Sequence, residues 1–191
     1  MASVIADHPP QELAAELSGL LRVDWRTVWP GIPDGEAERA EWCAAFGWEP
    51  LWLQSGLWVR TPQGGRLHLA SAPGPGRPVT RASYTVWKAT AAEESEGEAV
   101  LAVALDRYAA HLARMTAALG APGRWGDAEE RALESSAPYR MAQWKYANPL
   151  APVIVLDLDH RAGGYAGGGT ISLAFHGPAD PNPDAGPGWL L

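Results

Sequence analysis

Along residues 46–60, "FGWEPLWLQSGLWVR", Trp48, Trp52 and Trp58 take even positions while Leu51, Leu53, Leu57 and Val59 take odd ones. An extended chain sends alternate side chains to opposite faces. The stretch therefore predicts a strand over 50–61 that is apolar on both sides. One face meets the core; the other needs a second cover or a partner. Two more strands are expected at 65–72 and 77–89, behind the turn clusters "TPQGG" and "APGPG". In the first of these Leu67 and Leu69 alternate with Arg66 and His68. Links this short favour an antiparallel meander.

Helical periodicity brackets the meander. Leu13, Leu17, Leu20 and Leu21 follow a Pro-Pro start and predict a helix over 10–22. A second helix begins near Asp34 and carries "EAERAEWCAAF", with Gly47 as its stop and Glu36, Glu38, Arg39 and Glu41 on its polar side. Leu101, Leu105, Tyr108, Leu112, Met115 and Leu119 recur at steps of four and three, which predicts a long helix over 97–119 ended by Gly120 and Pro122. Residues 120–137 read as a polar connection. Three further strands follow: Tyr139 to Tyr146; "PVIVLDLDH", with Ile154, Leu156 and Leu158 opposite Asp157 and Asp159; and "TISLAFH". "RAGGYAGGG" reads as a hairpin loop between the last two strands. Residues 1–9 and the Pro-rich 177–191 are expected to be irregular, with Trp189 free to dock back.

The predicted order α-α-β-β-β-α-β-β-β describes one α+β domain over 1–191: two layers, a mostly antiparallel sheet of about six strands packed on one long helix, with N-terminal helices beside it. Apolar residues make up 47% and charged residues 19% of the chain, ample for a core. The net charge of −7 and the presence of only two lysines, Lys88 and Lys145, argue against a nucleic-acid partner. The abundance of arginine over lysine, and of Ala, Gly and Pro, fits a GC-rich bacterial genome. The lone Cys43 forms no internal disulfide, and neither a signal peptide nor roughly 18 consecutive apolar residues is present, so a cytoplasmic protein without a membrane segment is expected.

Catalytic signatures are weak. Asp157, Asp159 and His160 offer carboxylates and an imidazole, but period two turns both aspartates to one side and the histidine to the other. His68, His111 and His176 lack metal-ligand spacing, so no metal and no cofactor are expected. Cys43 sits among alanines as a packed thiol, the Gly-rich loop lacks the Lys-Ser/Thr of a phosphate cradle, and no Ser has a G-x-S-x-G setting. The anomaly is tryptophan: ten, against two phenylalanines. Trp25, Trp29, Trp42 and Trp87 are assigned to the core. Trp52 and Trp58, with Trp144 and Tyr146, and Asp157 and Asp159, form the candidate surface for a protein partner.

The segments "VDWRTVWPGIPDGEAERAEWCAAFGWEP", "YAAHLARMTAALGAPGRW" and "AQWKYANPLAPVIVLDLD" resemble a family of uncharacterised actinobacterial proteins with a Trp-containing opening, a helix ending in Gly-Trp-Glu, and a later helix ending in Leu-Gly-x-Pro. The resemblance spans about residues 23–175, and the N-terminal helix, the 120–137 connection and the tail depart from it. It implies no activity and no catalytic residue. The compact acidic build is similar to immunity proteins encoded beside polymorphic toxins. The expectation is thus an immunity-type protein, monomer or homodimer, that occludes a basic toxin domain. A chaperone or adaptor of a secretion system is the alternative, and an enzyme assembled from His68, Asp157 and Asp159 comes third.

Overall fold

The computed structural model describes residues 2–72, 76–127, 140–148, 151–160, 167–178 and 180. In chain order these form β1 (Ser3–Asp7), α1 (Pro10–Leu20), α2 (Trp25–Val28), α3 (Glu36–Ala44), β2 (Glu49–Leu53), β3 (Leu57–Arg60), β4 (Arg66–Ser71), β5 (Val79–Thr90), α4 (Gly97–Leu119), β6 (Arg124–Asp127), β7 (Arg140–Trp144), β8 (Val153–Asp159) and β9 (Gly168–His176). The strands make one antiparallel sheet ordered β2-β3-β4-β5-β9-β8-β7-β6, with β1 paired to β5. The order is palindromic. Two four-stranded meanders, β2 to β5 and β6 to β9, meet at their last strands.

The α+β architecture and the long helix agree with the sequence reading, but the sheet is larger than six strands. The expected strand over 50–61 is a hairpin of β2 and β3, turned at Gln54, Ser55 and Gly56. Residues 1–9 are not irregular throughout, because Ser3–Asp7 pairs with the second half of β5. That half has a free edge, since β4 reaches along β5 only from Val79 to Tyr84. Arg124–Asp127, expected within a connection, pairs with β7. The Gly-rich loop at 161–166, residues 128–137 of the connection, Tyr139 and the tail from 181, with Trp189, lie outside the described residues.

Cross-strand pairing lays the core out in rows. One row runs Leu57, Leu69, Ala82, Phe175, Ile154 and Trp144, all facing the helices. The next runs Val59, Leu67, Tyr84, Leu173, Leu156 and Ala142, and every member is buried. Helix α4 crosses β5, β9 and β8, with α1 packed beside it. Its buried side is Val100, Ala104, Tyr108, His111 and Met115, one position back from the leucine stripe at most turns. The reason is clearance: a Cβ on Gly169 would lie 3.2 Å from that of Ala104, so backbone and helix approach too closely for a leucine there. Leu105, Leu112 and Leu119 instead pack against the core from its flanks.

The N-terminal tryptophans close one end of this core. Trp25 stacks between Trp29 and Phe175 at 4.8 and 5.0 Å, and donates from Nε1 to the Leu20 carbonyl. Trp48 joins Trp42 and Phe46 beside them. Trp25, Trp29 and Trp87 are therefore core residues, as expected, and Trp42 packs against the core half-buried.

Candidate functional site

With α1 and α4 on one side of the sheet, the opposite side carries the alternate residues. One row there reads Trp52, Trp58, His68, Ser83, Ala174, Val155 and Gln143. Trp52 and Trp58 keep the shared side that their even positions predict, although they stand on two strands. The chain reverses so that Trp52 faces Trp58 and Leu53 faces Leu57, and a bulge at Leu51 shifts the pairing to Pro50 with Val59. Leu57 and Val59 consequently meet the core while the tryptophans stay outside.

The three rings at the head of the row stack in sequence. Trp52 lies 5.6 Å from Trp58 at 28°, and Trp58 lies 4.7 Å from His68 at 26°. The ladder ends in solvent at Trp52, 44% exposed on the edge strand. The Arg66 guanidinium sits 5.9 Å from its ring centroid, at the outer reach of a cation–π contact. His68 Nε2 lies 3.2 Å from the Ser55 carbonyl, which only accepts, so that nitrogen carries the proton. Burial holds the imidazole below its ordinary pKa, and Arg81 adds to the effect against the opposing Ser55 bond. His68 is thus a neutral ring that stacks and ties down the hairpin tip.

The tip has little freedom. Gly56 has φ +128°, and a Cβ there would collide with the Leu69 carbonyl oxygen and with His68 Nε2. Gly56→Ala is expected to destabilise the protein by about 2 kcal/mol or more and to unstack Trp52. A denaturant titration followed by tryptophan fluorescence checks it; an unchanged midpoint and spectrum would show that the tip is not clamped.

Beside the ladder the sheet is split. Between the end of β4's pairing at Tyr84 and the start of β1's at Trp87, the β5 edge has no strand partner. A cavity of about 520 Å³ opens there, lined by His8, Trp58, Arg66, Tyr84, Thr85 and Lys88 among others. Its charge is cationic on the sheet side. Two exposed acids stand near it, each held by an arginine: Asp7, in the lining, by Arg107 at 2.9 Å, and Glu49, on β2, by Arg60 at 2.6 Å. Glu36, Glu38 and Glu41 on α3, and Glu93, Glu94 and Glu98 at the start of α4, lie away from this face. The tryptophan face is therefore basic although the chain as a whole is acidic.

The other expected site residues do not gather here. Trp144 is a core residue: it is 2% exposed, on the helix side, and donates from Nε1 to the Gly120 carbonyl at the end of α4. It shares parity with Tyr146, but parity does not say which face is the outer one. Tyr146 is exposed just beyond β7. Asp157 and Asp159 are on the outer side, opposite Ser172 and Thr170, four strands from Trp58 and so about 19 Å away. Asp157 is buried, and desolvation pushes its pKa up to about 7, with Arg81 opposing and Asp159 adding. The enzyme reading that joined His68 to these aspartates finds them on separate strands. Burial likewise raises the Cys43 thiol to about 11, well away from a nucleophile's range. His111 is buried in α4, on the other side of the sheet from His68 and His176, and among the described residues no three His, Cys, Asp or Glu side chains group to hold a metal. No described helix is long and apolar enough to cross a membrane.

The Arg66, Lys88 and His8 cavity escaped the sequence reading because it is made by the gap between β4 and β1, and β1 itself was not foreseen. No protein-family model, no curated protein and no solved structure matches the chain.

Proposed function

We propose that the protein is an immunity-type binder that neutralises a cognate toxin domain by occlusion, using the outer face of β2, β3 and β4 and the adjoining cavity. The observation that supports this most is Trp52: a large ring held in solvent by stacking on Trp58 and His68 while a full core lies on the other side of the same sheet. An aromatic anchor that is ordered before binding loses little entropy on contact, and such residues carry a disproportionate share of interface energy. Arg66 beside it, and Lys88 in the adjoining cavity, fit an acidic patch on the partner. That replaces the basic contact surface which net charge alone favours; the acidic helices remain free to steer a partner whose overall charge is positive.

The test is co-expression with the product of the neighbouring gene. Copurification and rescue of growth are expected, and Trp52→Ala and Arg66→Ala should each weaken binding, Trp52→Ala by about 2 kcal/mol, or thirtyfold. A neighbouring product that is not toxic, or binding indifferent to both substitutions, would remove the reading.

A further inference from the structure

On the helix side, away from the tryptophan face, α1, α2, the α3–β2 link and the β3–β4 turn enclose a second cavity of about 580 Å³. That is ample for a small organic ligand. Its walls include Leu20, Phe46 and Trp48. Asp24 and Arg22 also stand in its lining, Asp24 capping α2 by accepting from the Arg26 amide and the Thr27 hydroxyl, and Arg22 donating to the Ser18 hydroxyl. Glu16, on α1, is also in the lining, although it is 1% exposed.

Half of that carboxylate is explained by the fold. Thr61 donates from Oγ1 to Glu16 Oε2 at 3.0 Å and accepts from the Gly65 amide, tying α1 to the β3–β4 turn. The other half is not. Oε1 is buried and has no hydrogen-bond partner among the described residues. Leaving a buried carboxylate oxygen unpaired is costly, and a structural tie to Thr61 would be served as well by a threonine-sized acceptor with no spare oxygen. Gln63, exposed on the turn, lies across Gly19, one helical turn along α1 from Glu16, with its amide oxygen 2.8 Å from where a Gly19 Cβ would stand. Such a side chain can be displaced without disturbing the core.

We propose that this cavity binds an organic cation, a primary ammonium or guanidinium group on an apolar body, with Glu16 Oε1 accepting from the cationic head. Phe46 and Trp48 flank the apolar part. The raised carboxyl pKa of Glu16, caused by burial and only partly offset by Thr61 and His8, is consistent with a group that lacks its counter-charge in the free protein. The site is independent of the toxin-binding reading, since it lies on the other side of the sheet.

The probes are benzylamine, as a free amine, and N-acetyl-arginine methylamide, as the stand-in for an arginine side chain of a partner; calorimetry and tryptophan fluorescence follow both. Saturable binding of at least one is expected. It should weaken about tenfold or more with Glu16→Gln, and be lost with Ala45→Trp, which fills the cavity mouth from an exposed position. Whichever probe binds more tightly identifies the source of the cation. Benzyl alcohol and benzoate should bind at least about tenfold more weakly than benzylamine. Should Glu16→Gln fail to fold, Ala45→Trp and the neutral and anionic analogues still decide. Absence of binding by both cations, equal binding of benzyl alcohol, or indifference to Ala45→Trp would each overturn the proposal. Trp52→Ala, which tests the toxin-binding face, should leave benzylamine binding unchanged.

Discussion

Asp157→Asn is expected to raise the melting temperature by about 5 °C at pH 8 and to leave it unchanged near pH 4. Asp157 projects from β8 on the side of the sheet away from the helices, yet it is only 4% exposed, and desolvation raises its pKa from 3.8 to about 7. A carboxyl whose folded pKa is raised holds its proton more tightly in the native state than in the unfolded one. Its contribution is therefore complete below pH 4 and is lost as pH climbs towards 7. The whole shift corresponds to something on the order of 4 kcal/mol, of which half suffices for the stated change. His111 works in the opposite direction over the same window. Burial lowers its pKa to about 4, helped by Arg107, so its contribution is present above about 6.5 and lost as pH falls through 4. In the wild type the two trends offset each other. Removing the Asp157 charge should leave the His111 trend visible, so that the variant becomes steadily more stable between pH 4 and 6.5. Thermal denaturation of both proteins from pH 4 to pH 8 is the measurement, and a constant difference between them at every pH would show that folding does not raise the Asp157 pKa.

Trp144→Ala should lower stability by about 3–5 kcal/mol, whereas Trp52→Ala should cost less than about 1 kcal/mol. Trp144 ends the transverse row that includes Ile154 and Phe175, and its indole N–H holds the last carbonyl of the α4 terminus at 2.8 Å. Its removal would open a cavity and free an acceptor together. Trp144→Phe separates these effects, since it retains most of the ring and should lose only about 1 kcal/mol with the hydrogen bond. Trp52, on the edge strand with 44% exposure, has far less area to lose. Urea unfolding of the three variants is sufficient, and a Trp52→Ala loss as large as that of Trp144→Ala would place Trp52 in the core.

What could be read from the residues alone follows from how local each signal is. The helix over 97–119 and the strands β4, β5, β8 and β9 carry their own periodicity, and they lie where the pattern puts them to within a few residues. The shared side of Trp52 and Trp58 was legible for a less direct reason: an antiparallel hairpin pairs residues whose numbers have a fixed sum, and beyond the bulge at Leu51 that sum is even, so parity survives the reversal at the tip. The hairpin itself was hidden, because Gln-Ser-Gly is a modest turn signal inside an apolar run. β1 could not be foreseen, since "SVIAD" becomes a strand only where β5 outruns β4. Alternation alone does not place Trp144, because it gives two faces without ranking them; the ranking comes from where α4 lands, and that puts Trp144 in the core. Glu16 carried no signal either. It occupies a helical position among leucines, and its interest arises from Thr61, forty-five residues away in the chain.

The palindromic strand order also constrains how the molecule reaches its native state. Each four-stranded meander forms mainly between near neighbours in sequence, but the seam joining them pairs Arg81 with His176 and Thr90 with Gly168. All of α4 and β6 to β8 lie between those partners, so closing the seam carries a large loop entropy and is rewarded only when α4 packs across it. Assembly of the seam should accordingly set the folding rate. Until it closes, β5 and β9 each expose a long unpaired edge, which makes this interval the one in which two copies of the chain are most prone to pair with each other.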